Sequence, residues 1–187
     1  MAQRAAIRHA STIALVAALV CVVAGCGQSA EEKYASSVCS DIADWRDQVQ
    51  KSANEVKAKV QSPETGMLAA IDADVQEAVD ATDELASNLS STNPPDTDEG
   101  RQAQQQLDAL VSQIRTTVNN VRETVDSIPQ GASFSEMVQK LAPLAPTIKS
   151  LAVNTSSTLA SVKQAGSKIK DGFDNADSCK KLEKSAD

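Results

Sequence analysis

From residue 32 almost to the end of the chain, apolar side chains return every third or fourth position. That is the period of one helix face, not the period of two that marks a strand. The first stripe, Val38, Ile42, Trp45, Val49, Val56 and Val60, predicts a helix over 32–61. Ser62-Pro63-Glu64 then reads as a cap, a first-turn proline and an early acid. It predicts a second helix over 63–90, striped by Leu68, Ile71, Val75, Ala78, Thr82, Leu85 and Leu89. Residues 91–96 (STNPPD) form a loop. A third helix, 98–128, follows on Leu107, Val111, Ile114, Val118, Val121, Val125 and Ile128, and Pro129-Gln130-Gly131 ends it. Ser133-Phe134-Ser135-Glu136 is a capping box for a fourth. Its stripe is Phe134, Met137, Leu141, Leu144, Ile148, Leu151, Leu159, Val162, Ile169 and Phe173. Pro143 and Pro146 predict a kink or short break before a long segment. Gly166 weakens that segment, and Gly172 is a candidate end.

Helices of about 30 residues span about 45 Å, and short connections between them favour antiparallel neighbours. The expected fold is all-α: an up-down-up-down antiparallel four-helix bundle with coiled-coil-like packing, its fourth helix kinked at prolines. Pro63, Pro94, Pro95 and Pro129 interrupt the chain too often for one long coiled coil. The topology puts both chain ends and the Asn93-Pro94-Pro95 loop at one pole, and the other two turns at the opposite pole.

The amino terminus follows a different pattern. Arg4 and Arg8 precede an unbroken apolar run, Ile13 to Val23, and the small residues Ala24 and Gly25. This is a secretory signal, with a core too short for a spanning helix. Val23-Ala24-Gly25-Cys26 resembles the lipobox of bacterial lipoproteins. The resemblance implies cleavage between Gly25 and Cys26, a diacylglyceryl thioether on Cys26, and attachment to the extracytoplasmic face of the cell membrane. Two acyl chains suffice for stable anchoring where one is marginal. The expected organisation is a cleaved signal (1–25), a lipidated tether (26–32), the bundle (33–182) and a short tail (183–187).

Composition and charge change after processing. Arg4, Arg8 and His9 leave with the signal and no acid does, so the net charge moves from −7 to −9. So acidic a chain argues against nucleic acid and against electrostatic attraction to anionic lipid. With Cys21 removed and Cys26 lipidated, Cys39 and Cys179 remain in an oxidising compartment, where a disulfide is expected. Both lie at the same pole of the expected topology. The stretch Tyr34 to Trp45 (YASSVCSDIADW), with the late Cys179, resembles small helical lipoproteins of actinobacteria. That implies an envelope location and no particular activity.

The mature chain lacks histidine, which removes Ser-His-Asp and Cys-His catalysis and the usual zinc ligands. No glycine-rich loop cradles a phosphate, and residues 171–177 (DGFDNAD) lack EF-hand spacing. No catalytic residue, metal or cofactor is expected. Asp72, Asp74, Glu77, Asp80, Asp83 and Glu84 make an acidic outer side of the second helix, read as a solvated face or a dock for a basic partner. Trp45 is expected in the core, Tyr34 against the tether, and Thr82 and Thr155 bonded back to their own helices. The expected function is non-enzymatic: an anchored interaction or envelope-structure module with an envelope protein as partner. The alternative is a carrier of a small apolar ligand or lipid, held near the proline kink by Met137, Leu141, Leu144 and Ile148.

Overall fold

The computed structural model describes residues 27–62 and 66–184, excepting the side chains of 145–146, 148–150 and 152–153. The signal, Gly25, Cys26, Pro63, Glu64 and the end of the tail lie outside the described residues, as do the side chains of Pro146 and Ile148. Every regular element among the described residues is helical: α1 (Ala30–Gln61), α2 (Met67–Ser91), α3 (Asp98–Asp126), α4 (Phe134–Leu141), α5 (Leu144–Lys163), α6 (Ser167–Asn175) and α7 (Asp177–Lys184).

The helix starts follow their caps. Ser29 Oγ accepts from the Glu32 amide at 3.0 Å, so α1 begins two residues earlier than predicted and leaves only residues 27–29 between it and Cys26. Thr97 caps α3 in the same way, through the Gly100 amide at 3.0 Å. The predicted capping box is present: Glu136 Oε2 accepts from the Ser133 amide at 2.7 Å, and Ser133 Oγ accepts from the Glu136 amide. The predicted start of the second helix at Pro63 is corrected. Ser62 terminates α1, and α2 opens at Met67 behind Gly66, whose φ of 84° needs a residue without Cβ.

The stretch expected as one kinked fourth helix is four helices. Ala142-Pro143 separates α4 from α5, Gln164–Gly166 separates α5 from α6, and Ala176, with ψ of 123°, separates α6 from α7. These breaks let the segment change partners. α5 packs on α3, whereas α6 and α7 pack on α1; α2 lies against both α1 and α3. Gly172 is not a helix end but lies inside α6, where a Cβ would meet the Glu31 backbone at 2.7 Å.

Two apolar clusters fill the interior. The larger spans Tyr34 to Val49 of α1, Ala81 to Leu89 of α2, Ala103 to Val118 of α3, and buried residues from Leu151 to Leu182. Trp45 is in this core as predicted, and its indole N–H donates to Thr82 Oγ1 at 3.1 Å. Thr82 and Thr155 donate back to Ala78 and Leu151 carbonyls, as expected of hydroxyls on an apolar stripe. Tyr34 is buried, edge-on to Phe173 with centroids 6.3 Å apart, and its hydroxyl donates to Gln104 Oε1 at 3.0 Å. The smaller cluster joins Met67, Ile71 and Val75 of α2 to Val125 near the end of α3, to Ile128 just past that end, and to Leu141 of α4.

The Cys39–Cys179 disulfide is present, with Cα atoms 5.0 Å apart across a separation of 140 residues. It ties α7 to the first turns of α1. Around it, Ser178 Oγ donates to the Ser36 carbonyl at 3.0 Å and Arg46 to the Leu182 carbonyl at 3.2 Å. Gln104 also donates to the Leu89 carbonyl at 3.2 Å, so this one side chain bridges α1, α2 and α3 at the disulfide pole.

Candidate functional site

Two surfaces remain once the core is accounted for. The first is acidic. On α1, Asp41 and Asp44 sit on the polar side of the stripe that buries Ile42 and Trp45; on α2, Asp80 and Glu84 lie one helical turn apart. Asn88 Nδ2 donates to Asp41 Oδ1 at 3.4 Å, which brings the two helices together at this level. Partial burial raises the Asp41 carboxyl above its ordinary range, Asp44 and Glu84 raise it further, and Asn88 opposes them.

Two further carboxylates of α2 are ion-paired: Glu77 with Lys51 at 3.7 Å and Asp83 with Arg115 at 3.2 Å. Among the described residues, none of Asp41, Asp44, Asp80 and Glu84 has a lysine or arginine nitrogen within 4.0 Å. Asp80 accepts only an amide N–H, from Gln76 at 2.8 Å. The four form an acidic patch without ion pairs where α1 meets α2; other described carboxylates, among them Asp72, Asp108 and Asp171, also have no lysine or arginine nitrogen within 4.0 Å, so it is the clustering that sets this patch apart.

Asp74 is corrected. Predicted on the outer side of the second helix, it is 5% exposed and paired with Lys59 of α1. The acidic face is thus narrower along α2 than the sequence suggests, and broader across to α1. Asp41 and Asp44 were missed because their register against α2 is a tertiary fact. The available signal was their spacing of three, which puts both on one side of α1.

The second surface is the pole opposite the disulfide. Three of the four expected cavity-lining residues come together here. Leu141 is buried in the smaller cluster, and Met137 and Leu144 pack against it half-buried; the side chain of Ile148 lies outside the described residues. Val56, Val60, Leu68, Val121 and Ala132 are also only half-buried around this cluster. Phe134 is 45% exposed. Between Ser127 and Pro146 the only charged residues are Glu136 and Lys140, one of each sign.

Elsewhere the described surface is polar and open. A depression of about 520 Å³ runs along α1 beside Asp47, Lys51 and Glu55, and one of about 280 Å³ lies between α2 and α3 beside Ser90, Asp108 and Arg115. Among the described residues, no three histidine, cysteine or acidic side chains gather as a metal site. No described helix is long and apolar enough to cross a membrane. No family model, curated protein or solved structure matches the chain.

Proposed function

We propose that this is a lipoprotein anchored through Cys26 to the extracytoplasmic face of the cell membrane, and that it acts without catalysis, as a docking or envelope-structure module. In this reading the helices form an antiparallel up-down-up-down bundle of four columns, with α4 to α7 as the fourth. The observation that carries the docking role is the convergence of Asp41 and Asp44 of α1 with Glu84 of α2, Asp80 lying one turn along, in a patch with no ion pair. Solvated acids cost little to leave unpaired, but a basic partner gains from several at once, chiefly in association rate. Its partner is accordingly an envelope protein with a basic surface. The three residues between Cys26 and α1, four steps from the lipid to Ala30, reach about 13 Å at most, which keeps the domain beside its membrane.

The test is site-specific photo-crosslinking in cells from Ser87, an exposed α2 position one turn beyond Glu84. The expected result is a discrete adduct with one basic envelope protein, lost in Asp80→Lys/Glu84→Lys and weakened by salt. An adduct pattern unchanged by charge reversal, with helicity intact, would refute the docking role.

A second reading, carriage of a small apolar ligand or lipid, is favoured by the half-buried apolar residues at the pole opposite the disulfide. Native mass spectrometry of the mature protein tests it. A lipid-mass adduct that Leu144→Trp removes supports carriage.

A further inference from the structure

We propose that the Cys39–Cys179 bond is made before α6 and α7 close on α1, by a disulfide-bearing oxidant acting on the exported chain, and that closure then seals the bond against thiols. The compartment of this step rests on the extracytoplasmic reading above; its order rests on the fold alone. Cys39 and Cys179 are 1% and 2% exposed, inside the larger apolar cluster. They lie in the seam between α1 and the end of the chain. Cys179 Sγ is 3.3 Å from the Ala35 carbonyl oxygen, and Ala35, Val38, Phe173 and Ala176 of the same cluster are fully buried. Beside them α6 approaches α1 so closely that a Cβ on Gly172 would meet the Glu31 backbone at 2.7 Å. Ser178 and the Leu182 carbonyl then bond α7 to Ser36 and Arg46. A reagent reaches sulfurs this buried only by parting α7 from α1.

Thiol–disulfide exchange needs that access. The thiolate of one cysteine attacks the oxidant's disulfide; a mixed disulfide forms and one oxidant thiol leaves. The thiolate of the second cysteine then attacks the first cysteine's sulfur, and the other oxidant thiol leaves. Two protein thiols have become one disulfide, and one oxidant disulfide has become two thiols. Each proton lost by a cysteine ends on a departing thiol. The intermediate carries the oxidant's group where the second cysteine belongs, so α7 is not seated while it lasts. Cys179 lies 140 residues beyond Cys39, so the bond closes only when nearly the whole domain has been exported. The window for oxidation therefore falls between export of the last helix and its packing.

The experiment follows the joined Cys39–Cys179 peptide of the mature protein by mass spectrometry after acid quenching, in both directions. Dithiothreitol reduces through the same kind of mixed disulfide. It is expected to open the bond about 100-fold more slowly in native buffer than in urea, as for a group that reacts only when its cover opens. In the forward direction, reduced protein is refolded either in oxidised glutathione or without it, the second sample receiving glutathione once circular dichroism shows its helices restored. The first sample is expected to close the bond about 100-fold faster. Equal forward rates would overturn the order, and equal reduction rates would overturn the seal. If the reduced chain regains no helicity, oxidation precedes packing outright and the order stands. A mature protein without lipid on Cys26 would overturn the location of the step and leave its order standing.

Discussion

Removing the Cys39–Cys179 bond by Cys39→Ala/Cys179→Ala is the perturbation whose size follows most directly from the structure. The bond closes a loop of 140 residues, nearly the whole described chain. In the chain-entropy model, a loop of that length costs the unfolded ensemble on the order of 5 kcal/mol of freedom, and loss of a native disulfide typically destabilises by about 2–5 kcal/mol. α7 retains other fastenings, including Leu182 in the core, Ser178 on Ser36 and Arg46 on the Leu182 carbonyl, so the folded state keeps its shape. The loss therefore appears as lowered stability, not as a missing helix. For a domain of this size, about 4 kcal/mol corresponds to a drop in Tm of about 8–16 °C. Thermal unfolding followed by far-ultraviolet circular dichroism, oxidised against double variant, reads it. Equal helicity at 20 °C with a Tm lowered by less than about 3 °C would refute the argument. The two chain ends would then be held together by packing, with the covalent bond incidental.

Further outcomes follow from individual contacts. Thr82→Val removes the acceptor of the buried Trp45 N–H and is expected to cost about 1–3 kcal/mol in urea titration, most of it recovered by Thr82→Ser. Gly172→Ala would set a Cβ 2.7 Å from the Glu31 backbone, forcing α6 off α1, and is expected to destabilise by about 1–3 kcal/mol. Because folding raises the Asp41 carboxyl, its ionised form opposes folding at neutral pH, and that penalty vanishes as pH falls below the carboxylate range. Asp41→Asn is therefore expected to stabilise at pH 7 and be near neutral at pH 3. Asp174 has the opposite sign. Lys170 and Lys163 lower its pKa, so its contribution is present above the ordinary aspartate range and lost as pH falls through the folded value; Asp174→Asn should cost stability at pH 7 alone.

The first three helices were readable because their buried residues obey one period and their neighbours run alongside them for many turns. Where a local cap dictated a boundary, as at Ser133-Glu136, the sequence located it. Where a turn rested on backbone conformation, it misled. Ser62-Pro63 had the chemistry of a start, but Gly66, in the left-handed region, carries the turn into α2. The last fifty residues kept a helical period through three breaks. Pro143 and Gly166 announced two of them, and nothing about Ala176 announces the third. Gly172 looked like a terminator because the close approach it permits is to a helix more than 130 residues earlier. The same limit applies to the sites. The acidic composition of α2 was visible, but Asp74 turning inward to Lys59, and Asp41 and Asp44 joining Glu84 across the groove, depend on how α1 and α2 register.

Under the proposed function, lipid on Cys26 would set the compartment, the stand-off from the membrane and the class of partner. Intact and peptide mass spectrometry of the protein extracted with detergent from its own membranes tests it most directly. The expected product is an amino-terminal peptide that begins at Cys26 and carries a diacylglyceryl mass, with Cys39 and Cys179 joined. A peptide beginning elsewhere, or Cys26 with an unmodified thiol, would contradict it.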